Sequence, residues 1–166
     1  MSIDQELIKK FKKNISNNIK LSNYSWFNLG GPADYFFKPE NSNQLIEFLK
    51  DNIKNKLNIT ILGAGSNTLF RDKGVRGVVI KLGSSFSNIE LIEKDVIKIG
   101  AATLDRKVSN FAKDNCIGNL EFLSCIPGSI GGAVIMNSGC YGNDISKVLV
   151  SINVIDTCSG KEKEIK

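Results

Sequence analysis

Glycine and small polar residues are concentrated in a short segment that follows an apolar stretch. Leu62 is followed by Gly63-Ala64-Gly65-Ser66-Asn67-Thr68, which we call the first glycine loop. Glycines after a strand permit tight turns and let main-chain N–H groups approach an anion without hindrance from a Cβ atom. The hydroxyls of Ser66 and Thr68 and the amide of Asn67 add donors. The loop suits a diphosphate, although its composition is also typical of a plain tight turn.

A second glycine-rich segment could contact a flat ligand. Residues 126–133, the second glycine loop, read Ile126-Pro127-Gly128-Ser129-Ile130-Gly131-Gly132-Ala133. Pro127 fixes φ, so we predict that the next two residues open a short helix whose N-terminal amides face outward. Glycine inside a helix costs about 0.5–1 kcal/mol relative to alanine. Such a density of glycine therefore favours a ligand-facing role, with close packing of elements as the alternative.

The first glycine loop fits neither common nucleotide-binding motif. The GxGxxG pattern requires glycine where this chain has Thr68, and the turn residues Arg71-Asp72-Lys73-Gly74 stand where a helix should begin. A P-loop is excluded because no GK[ST] follows.

Histidine is absent from all 166 residues, which narrows the possible chemistry. Its absence excludes Ser-His-Asp and Cys-His catalysis and any histidine-ligated metal. No pair of cysteines has CxxC spacing, so we predict no metal site and reduced thiols at Cys116, Cys125, Cys140 and Cys158. If the protein is an enzyme, a cofactor carries the difficult chemistry.

Composition is that of a soluble globular chain, with 42% hydrophobic and 23% charged residues. No apolar run approaches the roughly 20 residues that span a bilayer, and the N-terminus lacks signal-peptide features. We therefore expect a cytoplasmic protein without membrane insertion. The net charge of +5 includes five lysines in residues 9–20. Phe11 is the only aromatic residue among them, and it falls on the apolar side of the predicted helix, which favours a solvated helix face over a nucleic-acid site.

Hydrophobic periodicity predicts an α+β chain. The predicted elements are a helix over residues 3–13, a strand at 33–38, a helix at 44–54 capped by Asn41 or Ser42, strands at 58–62, 78–80 and 96–99, a helix capped by Thr103, and a strand at 147–156. A break near residues 83–88 divides the chain. We predict an N-terminal helix and lead-in at 1–20, one lobe at 21–83 and a second lobe at 84–166.

Four segments, in order, resemble the UDP-N-acetylenolpyruvoylglucosamine reductase family. Asn28-Leu29-Gly30-Gly31-Pro32-Ala33-Asp34 resembles its GGPA turn, and the first glycine loop resembles its GxGSN segment. Gly118-Asn119-Leu120-Glu121-Phe122 is similar to its GxEF segment. The second glycine loop, continued by Met136-Asn137-Ser138-Gly139-Cys140-Tyr141-Gly142, resembles its IPGSxGGA and MNxGxYG segments. The resemblance covers about residues 21–157.

This resemblance implies a two-lobed FAD-binding fold of the p-cresol methylhydroxylase type, with non-covalent FAD between the lobes. It implies that NADPH serves as reductant and that enolpyruvyl UDP-N-acetylglucosamine is reduced to UDP-N-acetylmuramate in peptidoglycan synthesis, which supports cell wall formation, cell shape and cell division. The implied partner is a small-molecule UDP-sugar, with no nucleic acid and no stated oligomeric state. The alternatives are another flavoprotein oxidoreductase of this fold, or a non-catalytic FAD- or nucleotide-binding fragment.

The resemblance also assigns cofactor-binding residues. The first glycine loop would hold the diphosphate through Gly63, Ala64, Gly65, Ser66, Asn67 and Thr68. The second would line the flavin through Ile126, Pro127, Gly128, Ser129, Gly131, Gly132 and Ala133. Asn137, Gly139 and Tyr141 would lie on the flavin or substrate side.

No catalytic residue is predicted within the chain. The family's catalytic arginine, in an F-x-YR-x-S stretch, and its serine and glutamate are expected beyond Lys166, with a C-terminal substrate domain that these residues do not include. Ser129 and Glu121 lie in cofactor-side motifs and are not assigned those roles. Cys140 replaces the family's usual alanine without obvious mechanistic cost. The unpaired strand predicted at the end favours a fragment or a split gene product over a finished domain.

Overall fold

A computed structural model describes residues 5–166 and divides into two units. Unit 1 runs to Leu62 and also contains Leu69–Lys81 and Val150–Lys166, and unit 2 consists of Gly63–Thr68 and Leu82–Leu149. The division after Lys81 lies close to the predicted break. The structure groups Val150–Lys166 with unit 1, whereas the sequence prediction placed this segment in the second lobe.

Helices and strands alternate irregularly along the chain. In chain order they are α1 (Gln5–Lys10), β1 (Ile15–Lys20), β2 (Pro32–Phe37), α2 (Ser42–Asn55), β3 (Ile59–Leu62), β4 (Val75–Lys81), β5 (Ile89–Glu93), β6 (Val96–Ile99), α3 (Asp105–Asp114), α4 (Ile130–Met136), β7 (Gly139–Cys140), β8 (Asn143–Asp144), β9 (Ile152–Ile155) and β10 (Glu162–Ile165). Short 3-10 turns lie at Leu21–Tyr24, Ser84–Phe86, Glu121–Cys125 and Ile145–Lys147. The predicted helix at 3–13 is shorter in the structure, because α1 ends at Lys10 and residues 11–13 form a turn; Ile3 lies outside the described residues.

Unit 1 is built on a four-stranded sheet in the order β1-β2-β4-β3. Strands β2 and β3 are parallel to β4, whereas β1 is antiparallel to β2. The central strand β4 carries the run Val78-Val79-Ile80, and all three side chains are buried. A continuous apolar run is typical of a strand covered on both faces, so the sequence of β4 matches its position.

Helix α2 begins where the sequence predicts. The side chain of Asn41 accepts a hydrogen bond from the main-chain N–H of Gln44 at 2.9 Å, which caps the helix. Its apolar face contributes Phe48, whose ring contacts those of Phe11 and Phe37 with centroids 5.5 and 4.4 Å apart. Aromatic packing therefore joins α2 to the sheet and to the segment after α1.

The C-terminal part of the predicted strand at 147–156 is confirmed, but its beginning is wrong. Residues Ile145–Lys147 form a 3-10 turn, and β9 starts only at Ile152. The apolar residues of this segment are divided between the two units, because Val148 packs in unit 2 whereas β9 pairs with β10 in unit 1. A single extended strand could not supply both.

Unit 2 has its own core around α3, α4 and the turn at Glu121–Cys125. Val108, Phe122, Leu123, Ala133 and Ile145 form its buried centre. Strands β5 and β6 make an antiparallel hairpin, and Ile89, Ile97 and Ile99 pack against that centre. Within residues 5–166, the structure contains no helix long and apolar enough to span a bilayer.

The predicted capping role of Thr103 is wrong. Leu104 occupies the N-cap position of α3 and makes no side-chain cap. The hydroxyl of Thr103 is fully buried and donates to the carbonyl of Asn88 at 3.4 Å. A buried hydroxyl needs a partner, and a distant carbonyl supplies it here in place of the helix.

Candidate functional site

The first glycine loop offers several unused main-chain donors. It leaves β3 after Leu62 and does not continue into a helix. Gly65 is buried with φ of +77°, in the left-handed region that favours glycine. Among the described residues, the main-chain N–H groups of Ala64, Gly65, Ser66 and Asn67 have no hydrogen-bond partner. Consecutive free amides in a turn of this kind form a concavity that binds anions.

The second glycine loop opens a helix, as predicted. Ser129 is the N-cap residue of α4 and adopts an extended conformation. The prediction that the helix's first amides face outward is wrong, because those of Ile130 and Gly131 donate to the carbonyls of Thr103 and Ala101 at 2.9 and 2.8 Å. The free N–H groups lie on either side of them, at Gly128, Ser129 and Gly132 in the described part of the chain.

Residues 101–105 support the second glycine loop, a role that sequence reasoning missed. The two segments run antiparallel, with a β-bridge between Leu104 and Ser129. The N–H of Asp105 also donates to the carbonyl of Gly128 at 3.2 Å. The available signal was the run of small residues Gly100-Ala101-Ala102, which allows another backbone to approach closely.

The two glycine loops meet within unit 2. A Cβ atom added at Gly63 would lie 3.0 Å from the hydroxyl oxygen of Ser129, which is itself buried. Two segments predicted separately from sequence therefore lie next to each other. Their free N–H groups are the donors available to an anionic ligand there.

The glycines of the second loop are required for different reasons. A Cβ at Gly131 would lie 3.0 and 3.1 Å from atoms of Ala101, and one at Gly128 would lie 2.5 Å from a carboxyl oxygen of Asp105. A Cβ at Gly132 would meet only the hydroxyl of Ser129, at 3.7 Å, which is ordinary contact. Packing explains the first two glycines but not Gly132.

The remaining predicted residues of the loops differ in exposure. Ser66, Thr68 and Ile126 are half-buried, whereas Asn67 and Pro127 are exposed. The methyl group of Ala133 lies in the core of unit 2.

Asn137, Gly139 and Tyr141 lie at and beyond the end of α4. Asn137 ends the helix with φ of +44°, and its side-chain oxygen accepts from the N–H of Ser146 at 2.9 Å. Gly139 pairs with Asp144 in the β7–β8 hairpin and has no room for a Cβ there. Tyr141 and Gly142 form the turn of that hairpin with φ of +53° and +82°, and Tyr141 is 88% exposed. A bulky side chain at positive φ is uncommon, so this tyrosine is of functional interest.

Asp105 is a titratable residue beside the loops that sequence reasoning also missed. Its carboxyl is fully buried, and neither oxygen has a hydrogen-bond partner among the described residues. Burial raises the pKa of Asp105 to about 6. The sequence offered little to distinguish Asp105, because it stands at the start of a predicted helix, where acidic residues are common.

Two other kinds of site receive no support. Across residues 5–166, no group of three histidine, cysteine, aspartate or glutamate side chains is arranged to hold a metal ion. An open cavity of about 410 Å³ in unit 1, lined by Ile8, Lys9, Lys12, Ile15 and Asn17, shares no residue with either loop.

Comparison with protein families and curated sequences identifies relatives. The family model described as FAD binding domain matches residues 33–166. A UDP-N-acetylenolpyruvoylglucosamine reductase of Pelagibacter ubique (strain HTCC1062) is 51% identical over 160 residues, covering 94% of this chain and 52% of that protein. The same enzyme of Rickettsia canadensis (strain McKiel) is 44% identical over 145 residues, covering 87% and 48%. The chain thus spans about half the length of the curated relatives it matches.

Solved structures confirm the predicted fold class. UDP-N-acetylenolpyruvylglucosamine reductase (MurB) from Thermus caldophilus matches with a TM-score of 0.75 and 28% identity, covering 90% of this chain and 51% of that one. Substrate-bound p-cresol methylhydroxylase matches with a TM-score of 0.62 and 15% identity over 98% and 36%, a likeness that shows the fold alone. The family match, the curated relatives and the ordered glycine loops agree: the chain belongs to the FAD binding domain family and is a homologue of the UDP-N-acetylenolpyruvoylglucosamine reductases.

Proposed function

We propose that this chain binds FAD non-covalently through its two glycine loops. The observation that carries the proposal is the convergence of Gly63 and Ser129, which brings two sets of free main-chain N–H groups into one site. A diphosphate needs several donors and close backbone approach, and the first glycine loop has both.

The residues present fit the cofactor. Ala64, Gly65, Ser66 and Asn67 supply consecutive free amides for the diphosphate, with the hydroxyls of Ser66 and Thr68 beside them. Gly132 has a free amide and a Cα that no neighbour crowds, so a flat ring can lie against it. The remaining second-loop residues, and Asn137, Gly139 and Tyr141, are proposed to line the flavin or substrate side.

We further propose the reaction named for the relatives. In it, the enolpyruvyl ether of UDP-N-acetylglucosamine is reduced to UDP-N-acetylmuramate in peptidoglycan synthesis, with NADPH as reductant. Bound FAD supplies the hydride-transfer chemistry. The part of this chain is to bind and orient the cofactor, and the group that protonates the substrate is proposed to lie in the half of the relatives that the chain does not span. UDP-sugars and NADPH are cytoplasmic metabolites, which supports a cytoplasmic location.

Flavin binding is tested with a matched pair of glycine variants in the full-length protein. We expect Gly63→Val to weaken FAD binding at least tenfold, because a side chain there meets Ser129. Gly83→Val is the control, since a Cβ at Gly83 has no atom within 4 Å. Titration by quenching of FAD fluorescence measures both. Failure of the unmodified protein to bind FAD, or equal affinity in the two variants, contradicts the proposal.

The reaction is tested by following NADPH oxidation at 340 nm with and without enolpyruvyl UDP-N-acetylglucosamine. Oxidation that depends on this substrate supports the proposed enzyme. Turnover only of simple alcohols or phenols indicates another flavoenzyme of the same fold. Flavin binding with no turnover of either class indicates a non-catalytic binding module.

A further inference from the structure

Asp105 is a buried acid that the proposed function does not use. It is the first residue of α3, its exposure is 0%, and both carboxyl oxygens lack a partner in the described part of the chain. The charged neighbours on its own helix, Arg106 and Lys107, are exposed. The adjoining segments 101–104 and 126–133 contain no titratable residue, and the turn opposite α3 offers only exposed Glu121 and Cys125. The carboxyl is therefore not held by an ion pair.

The carboxyl lies directly against the second glycine loop. A Cβ on Gly128 would lie 2.5 Å from Oδ2 of Asp105 and 3.6 Å from its Cγ. Gly128 is not among the glycines at positive φ, so its backbone would accept alanine. The Asp105 side chain, rather than backbone conformation, is what requires glycine at this position.

The same two residues are also joined through the backbone. The N–H of Asp105 donates to the carbonyl of Gly128, and the next bond along, from Ile130 to Thr103, continues the pairing. The backbone of Gly128 and Ser129, with its free amides, is thus held by pairing with residues 103–105 and by contact with the Asp105 carboxyl. Burying an acid without a hydrogen-bond partner reduces the free energy of unfolding, and unfavourable features of this kind are concentrated at functional sites.

We propose that Asp105 is a positioning residue: its carboxyl, seated against the bare Cα of Gly128, fixes the Gly128–Ser129 backbone and thereby the affinity for flavin. This inference rests on the proposed function. The acid fulfils the role best when it is neutral, because a carboxylate against the second glycine loop would repel the diphosphate that is proposed to bind at the adjoining first loop. Burial favours the neutral form.

A double-mutant cycle in the full-length protein tests the contact. We expect Gly128→Ala to weaken FAD binding at least tenfold, because its methyl group displaces the carboxyl, and Asp105→Ala to weaken it several-fold. The double variant should bind FAD more tightly than Gly128→Ala alone, since the new methyl group fills the vacated space. Additive losses, or wild-type affinity in Gly128→Ala, overturn the inference.

A volume-conserving variant provides a second readout. Wild-type affinity for FAD should fall as pH rises from 5 to 8, whereas Asp105→Asn should bind equally well throughout. Asp114→Asn is the control, because Asp114 is exposed on the same helix and should leave the wild-type profile unchanged. Identical profiles for wild type and Asp105→Asn overturn the inference. A wild-type protein that binds no FAD refutes the proposed function instead.

Discussion

At the scale of single residues, the site contains an acid whose burial is not compensated by a partner. The pKa of Asp105 is raised from 3.8 to about 6, and desolvation is the cause. A group with a raised folded-state pKa binds its proton more readily in the folded protein. The contribution of Asp105 to folding stability is therefore fully present below the pKa of the unfolded chain. It is lost as pH rises through about 6.

We expect Asp105→Asn to stabilise the protein at pH 8 but not at pH 4. The rise in pKa from 3.8 to about 6 corresponds to about 3 kcal/mol, which sets the upper limit of the gain. The free energy of unfolding in urea, measured at both pH values, provides the test. Asp114→Asn should change it by less than about 0.5 kcal/mol at either pH. An equal effect of Asp105→Asn at both pH values would contradict the assigned pKa.

Gly132→Ala separates stability from ligand binding. No neighbour crowds a methyl group at this helical position, so the unfolding free energy should rise by about 0.5–1 kcal/mol. If the flavin ring lies against Gly132, FAD affinity should fall at least tenfold in the same variant. Gly131→Ala is the comparison, since Ala101 crowds it and it should lose both stability and affinity. Unchanged FAD affinity in Gly132→Ala would remove this glycine from the cofactor site.

At the scale of elements, short-range signals predicted well and long-range ones did not. The cap of α2 at Asn41, strand β6 and the opening of α4 after Pro127 depend on neighbouring residues, and all could be read from the sequence. The pairing of residues 101–105 with 128–131 joins segments about 25 positions apart. Its effects on Thr103 and on the amides of Ile130 and Gly131 could therefore not be predicted from the sequence. The environment of Asp105 follows from that pairing.

The β7–β8 hairpin carries its own testable feature in Tyr141. Two successive residues at positive φ define a turn for which Asn-Gly is the preferred sequence. Tyr141→Asn should therefore raise the unfolding free energy by several tenths of a kcal/mol to about 1 kcal/mol. It should also reduce turnover of the full-length protein if the exposed ring contacts flavin or substrate. Tyr141→Phe, which retains the ring, separates loss of the ring from loss of the hydroxyl, and full activity in Tyr141→Asn would exclude a role for either.

At the scale of the whole molecule, both glycine loops belong to unit 2, although the segment Leu69–Lys81 of unit 1 lies between them in the sequence. A ligand that binds only the folded form stabilises it by mass action, by about 2.7 kcal/mol at 100 times its Kd. FAD should therefore slow amide hydrogen exchange at residues 64–67 and 128–132 together. Riboflavin, which lacks the diphosphate, should leave residues 64–67 unprotected. Protection of one loop alone by FAD would contradict a shared site.

The discontinuous make-up of unit 1 has a consequence for the order of synthesis. The hairpin of β9 and β10 belongs to this unit, and a Cβ at Gly160 would lie 2.7 Å from the Lys50 side chain of α2. Chains leave the ribosome at about 5–20 residues per second, N-terminus first. All of unit 2 is thus translated before the last strands of unit 1 exist. We expect both glycine loops to form within unit 2 once Leu149 has left the ribosome, while the earlier-made sheet still awaits its final contacts.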